Sequence, residues 1–224
     1  MQLAGASSDS TLRLAALPIA SRLSPETAAP VVANLIARGT TDEKKTAFRT
    51  LGFSRHATAN TQLAAQLREL AAGRIPDAVQ LELLTAAGRR SDPAIKELLA
   101  TREAALAASG DPLAPYRVAL AGGNAERGKR IFETQPVLAC IRCHRAGGDG
   151  GDAGPNLAEI GHKYGREYLL AALVKPNAKI APGFDTIVVT SKNGGTAAGI
   201  VASETADTLT LRNTDNKLVA VQIA

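Results

Sequence analysis

The sequence has no tryptophan, and aromatic side chains make up only 3% of it. With so few rings, much of the core must be built from Ala, Leu, Val and Ile, which favours closely packed helices. Cysteine occurs twice, as Cys140 and Cys143, so a disulfide framework is excluded. Methionine occurs once, as Met1. No stretch approaches the roughly 18 to 20 consecutive apolar residues of a membrane span. The opening MQLAGASSDS lacks the charged region and apolar run of an export signal. Aromatics do not interleave with basic residues, so nucleic-acid binding has no support. No Ser/His/Asp set, phosphate loop or second acid–base pair is recognisable, which argues against independent catalysis.

What remains is 45% apolar over 224 residues, enough for one large domain or two to three small ones. The formal net charge is +5. A mildly basic surface can attract an anionic partner or lipid head groups, but Lys and Arg are scattered among acids, the pattern of plain solubility.

Apolar residues recur at three and four positions from about Ser10 to Ala121, predicting helices near 10–21, 26–38, 42–52, 58–72, 75–88 and 92–108. Ser24, Thr41 and Ser91-Asp92-Pro93 read as helix starts. Gly39, Gly73 and Gly88 read as stops. The recurring pairs resemble degenerate HEAT-like repeats stacked as a short α-solenoid over residues 1–122, with an ordinary helical bundle as the alternative. Ala121-Gly122-Gly123-Asn124 reads as a joint, followed by a short helix over 125–133.

From Asp185 the period changes to two. Segments 186–190, 197–201, 208–211 and 218–221 read as four strands rich in Thr, Val and Ile. Asn193-Gly194-Gly195 and Asn213-Thr214-Asp215-Asn216 supply hairpin turns. Residues 184–224 are thus expected to form a small antiparallel β extension, barrel-like or curled, packed on the preceding domain.

Between these regions lies Cys140-Ile141-Arg142-Cys143-His144. C-x-x-C-H is the pattern of c-type haem attachment: one helical turn places both thiols under two vinyl groups while the imidazole faces iron. The spacing also serves zinc sites and dithiol centres. Zinc would need four ligands, and there is no second C-x-x-C, only His56 and His162 besides His144. A dithiol centre expects a βαβ setting, which is absent.

The resemblance extends beyond the motif. Gly128-x-x-x-Phe132, Gly154-Pro155-Asn156-Leu157, Gly161-His162-Lys163-Tyr164-Gly165 and the helix from Arg166 to Leu173 together resemble a class I cytochrome c domain, here spanning 123–183. That resemblance implies one covalent haem c, with Cys140 and Cys143 as attachment points and His144 as an iron ligand. It implies haem contacts from Phe132, Pro155, Leu157, Ile160, His162, Tyr168, Leu173 and Phe184. In the family, the glycine matching Gly128 permits close helix crossing, and the carbonyl matching Pro155 orients the ligand histidine. The sequence departs from the family at the second axial ligand, because Thr186 falls where a methionine is usual. The sixth position is left open or water-filled, or to Lys179, His162 or His56.

Helical repeats, C-x-x-C-H and a Thr-rich β tail together resemble haem-binding C-terminal regions of large secreted proteins common in planctomycetes and related bacteria. These often follow a β-propeller dehydrogenase-like module. The likeness implies a fragment of a longer, periplasmic or otherwise exported protein, with a signal upstream. It implies an electron-transfer module, with a dehydrogenase module or protein as donor and a respiratory carrier as acceptor. A gas-binding sensor or weak peroxidase is the alternative.

Overall fold

A computed structural model describes residue 7 and residues 9–223; Met1 lies outside the described residues. The chain forms two compact units, one ending at Gly123 and the other beginning at Asn124.

The first unit is helical: α1 (Ser10–Leu23), α2 (Pro25–Arg38), α3 (Thr41–Phe53), α4 (Ala57–Ala71), α5 (Asp77–Ala87) and α6 (Pro93–Ala108), then a 3-10 segment, Ala114–Leu120. Local chemistry sets the boundaries. Asp92 caps α6 through its carboxylate, which accepts from the Ala94 and Ile95 amides, and Pro93 occupies the first turn, where its missing N–H costs nothing. Gly73 takes a left-handed φ of 71° just past α4. The helix expected from 75 begins at Asp77, because the residue before Pro76 is pushed out of helical geometry.

Two expected caps are corrected. Ser24 precedes α2 but makes no side-chain capping bond. The cap of α3 is Thr40 rather than Thr41, because its partner, Glu43, must stand three residues on. The Thr40 hydroxyl accepts from the Glu43 amide at 3.4 Å, and the Glu43 carboxylate accepts from the Thr40 amide at 2.8 Å.

Helices stack in two series. α1 packs on α3 and α3 on α5; α2 packs on α4 and α4 on α6; sequence neighbours α1–α2, α2–α3, α3–α4 and α4–α5 also touch. Between them lies a core of Leu17, Val32, Phe48, Leu63, Val79, Leu83 and Ile95, each at most 3% exposed. It has one large ring and is otherwise aliphatic.

Glu43 is buried in this unit at 2% exposure, and Arg13 of α1 donates to it at 2.6 Å. The carboxyl is held below its ordinary pKa, chiefly by the Thr40 amide; burial opposes this, and Arg13 adds to it. A depressed folded pKa contributes stability that is present above the ordinary glutamate value of about 4.3 and lost as pH falls through the lower folded value. The helical unit is therefore expected to lose stability on acidification below about pH 4. In Glu43→Gln that acid loss should shrink; equal acid sensitivity of the two proteins in thermal melts would refute this role.

The second unit opens with α7 (Ala125–Thr134), capped by Asn124, whose side chain accepts from the Arg127 amide at 2.7 Å. Then follow α8 (Cys140–Cys143), α9 (Ile160–Lys163), α10 (Arg166–Val174) and a 3-10 turn, Pro176–Ala178. Strands β1 (Thr186–Thr190), β2 (Thr196–Glu204), β3 (Thr208–Arg212) and β4 (Leu218–Gln222) form an antiparallel meander in chain order. Leu209 and Leu211 alternate with half-exposed threonines on β3 and are buried. A register irregularity lies between Val201 and Ser203, opposite Leu211 and Thr210.

The barrel-like expectation is corrected, because among the described residues β1 and β4 do not pair and the sheet is open. Closed barrels have an interior just wide enough for side chains at about eight strands, so four leave no room.

Candidate haem-attachment site

Ala139 stands immediately before α8 with a φ of 48°, a left-handed conformation costing a non-glycine residue about 1 kcal/mol. It turns the chain sharply into the single helical turn Cys140–Cys143, where the Arg142 amide donates to the Ala139 carbonyl and the His144 amide to that of Cys140. Spacing by three residues brings Cys140 and Cys143 to one side of the turn. Both are unpaired thiols, half-buried.

His144 ends the turn in extended geometry, and residues 150–157 fold back alongside it. The Gly151 amide donates to the Ile141 carbonyl at 2.9 Å, Gly154 to Cys143 at 2.7 Å, and Leu157 to Arg145 at 2.7 Å. Glycine makes this approach possible. A Cβ on Gly151 would stand 1.8 Å from the Arg142 carbonyl oxygen, and Gly150 combines a φ of 149° with 2.3 Å to the His144 carbonyl oxygen. Gly154 lies against the imidazole, where a Cβ would stand 2.5 Å from Cε1.

The Pro155 carbonyl is 2.9 Å from His144 Nδ1. A carbonyl only accepts, so Nδ1–H donates this bond, and in the neutral ring Nε2 is the nitrogen left to hold a metal.

A third segment reaches this loop. In the β3–β4 turn, Asp215 pairs with Arg142, and the Asn216 side chain accepts from the Asp152 amide at 3.1 Å. Arg145 pairs with Asp152 at 2.8 Å. Asp152, Asp215 and Asn216 were not singled out by the sequence pattern. The only signal was the Asn213–Asn216 hairpin turn, which does not say what the turn touches.

The remaining expected contacts lie on several elements of the second unit. Phe132 on α7, Pro155, Leu157, Ile160 at the start of α9, Tyr168 on α10 and Phe184 before β1 are all half-buried. His162 is exposed, and Leu173 is 82% exposed. Tyr168 stacks on Tyr164 with ring centroids 4.0 Å apart, and Lys179 Nζ lies 5.3 Å from the Tyr168 ring. Thr186 is exposed at the start of β1. His56 belongs to the helical unit, where it caps α4, its Nδ1 lying 2.9 Å from the Thr58 hydroxyl. Gly128 is surrounded by open space, so the close helix crossing expected there does not occur among the described residues.

These residues fit a c-type haem. Two thiols share one turn, and the adjoining imidazole offers a single nitrogen fixed by its neighbours. Ile131, Leu138, Tyr164 and Ile180 add exposed apolar surface in the same unit. Among the described residues no group of three or more His, Cys, Asp or Glu side chains is gathered as a metal cage, so the zinc alternative lacks its ligand set.

The cytochrome c family model matches residues 125–210, from the first residue of α7 into β3. The match supports a haem-binding electron-transfer module in this segment and implies covalently bound haem c and redox partners in general. No curated protein matches the chain. Among the described residues no helix is long and apolar enough to cross a membrane.

Proposed function

We propose that the second unit carries one covalently attached haem and serves as a one-electron relay. Cys140 and Cys143 are its attachment points, and His144 presents Nε2 as an axial ligand. The observation that carries this is the Nδ1 contact to Pro155 at 2.9 Å, which fixes tautomer and ring orientation together. Bound haem would supply the iron couple; the chain supplies placement and charge. Phe132, Leu157, Ile160, Tyr168 and Phe184 would contribute apolar surface to the pocket, with His162 and Leu173 at its margin.

The two helical series, odd on odd and even on even, are the contact pattern expected of stacked helix pairs and support the HEAT-like reading of the first unit. With the β tail, they favour placement in a larger exported dehydrogenase-like protein of the planctomycete type. An upstream dehydrogenase module would then be the donor and a respiratory carrier the acceptor. Haem attachment of this kind takes place outside the bacterial cytoplasm, which favours the periplasm.

A specific observation keeps a second reading in view. The sole methionine is Met1, so the usual thioether ligand has no counterpart near the motif. A side chain such as Lys179 or His162 at the sixth position favours electron transfer; an open position favours a gas sensor or weak peroxidase.

Absorption spectra of the haem-loaded protein, oxidised and reduced, with and without carbon monoxide, separate the two. The relay predicts sharp reduced bands that carbon monoxide leaves unchanged. A high-spin spectrum shifting with carbon monoxide would overturn it in favour of the sensor. Absence of a covalent haem band, or its persistence in a Cys140→Ala/Cys143→Ala variant, would overturn the attachment assignment.

A further inference from the structure

We propose that the β3–β4 turn is a clamp on the haem-attachment loop, and that Asp215 and Asn216 act as positioning residues for the segment bearing Cys140, Cys143 and His144. The inference rests on the haem reading above and goes beyond it, because both residues lie outside the segment 125–210 that matches the cytochrome c family.

The turn is built to present them. Asn213 Oδ1 accepts from the Asp215 amide at 3.0 Å and the Lys217 amide at 2.9 Å, and the Asn216 amide donates to the Asn213 carbonyl at 2.9 Å. Asn216 takes a φ of 60°, a conformation that asparagine tolerates better than most residues. Arg212 at the end of β3 donates to the Asn216 side chain at 3.2 Å, so the amide that receives Asp152 is itself oriented.

Both contacts land on the site loop. Arg142 lies between the two cysteines, and Asp152 lies two residues before Gly154, on which the His144 ring rests. The turn therefore holds both arms of the fold-back, one by charge and one through a backbone amide. The Arg142 and Asp215 side chains are 59% and 54% exposed, so their pairing contributes little to stability. Its consequence is local charge. Asp215 balances the guanidinium nearest the attachment turn. An unbalanced cation there would favour the reduced, less positive state of a bound haem iron, and an unbalanced carboxylate the oxidised one.

The test is a redox titration of the haem-loaded full chain in Asp215→Asn, Arg142→Gln and the double variant, at low and high salt. The clamp predicts a higher midpoint potential in D215N, a lower one in R142Q, and a shift in the double variant smaller than either. All three should shrink as salt rises. A second measurement follows hydrogen exchange at the Asp152 amide, expected to quicken about tenfold in Asn216→Gly, which keeps the turn's backbone geometry but removes the acceptor. Unchanged potentials in both single variants, or an unchanged Asp152 exchange rate, would overturn the clamp. A parent protein without a covalent haem band would instead overturn the haem reading, and the exchange measurement, which requires no haem, would still decide whether the turn is docked.

Discussion

Gly151→Ala is expected to unfold the attachment loop, lowering the stability of the second unit by at least about 3 kcal/mol, the upper end of what overpacking usually costs. The added methyl would stand 1.8 Å from the Arg142 carbonyl oxygen and 2.7 Å from its carbon. Those are backbone atoms in a helical turn and cannot swing aside as a side chain would. Relief requires the two strands of the fold-back to separate, which breaks the Gly151 to Ile141 hydrogen bond at 2.9 Å and pulls on its neighbours. A thermal melt of the purified variant, with haem content measured alongside, checks this. A variant melting with its parent and carrying full haem would show that the loop is not folded as described.

Gly154→Ala is expected to produce a different large effect, because its methyl meets the ring rather than the backbone. The new Cβ would lie 2.5 Å from Cε1, 2.8 Å from Nδ1 and 3.0 Å from Nε2 of His144. The imidazole has to rotate away, surrendering its bond to Pro155. Cys140 and Cys143 are untouched, so covalent haem content should stay near the parent's while the spectrum loses the signature of histidine ligation. A spectrum identical to the parent's would mean that the imidazole does not rest on Gly154 in the loaded protein. The two glycines thus separate by readout: one changes how much folded protein there is, the other how the iron is held.

Much of this was legible in the residues, for reasons that differ by region. The helical unit declared itself through short-range rules: Asp92-Pro93 opens α6, and Gly73 follows α4. Where two hydroxyls stood side by side, as at Thr40 and Thr41, the cap depended on which lay three residues before Glu43. The strands were legible because alternation at Leu209 and Leu211 is a local property. Openness of the sheet was misjudged even though the strand count that decides it, four, was itself legible. At the site, C-x-x-C-H carried its own geometry, but Asp215 meets Arg142 across 73 residues of chain, and nothing in either residue's neighbourhood announces the other. Gly151 was hidden for a related reason. In a run with glycines at 147, 148, 150 and 151, composition says flexible loop, and only the fold reveals which glycine is pressed against a carbonyl.

The contact between His144 and Pro155 also bears on what holds the imidazole in place. The imidazole is flanked by a glycine on one side and by an acceptor on its Nδ1 edge, both delivered by backbone hydrogen bonds of the protein itself. The choice of nitrogen and the tilt of the ring are therefore set by contacts that the chain itself supplies. The loop that packs on this side chain therefore shares the entropy cost of ordering it.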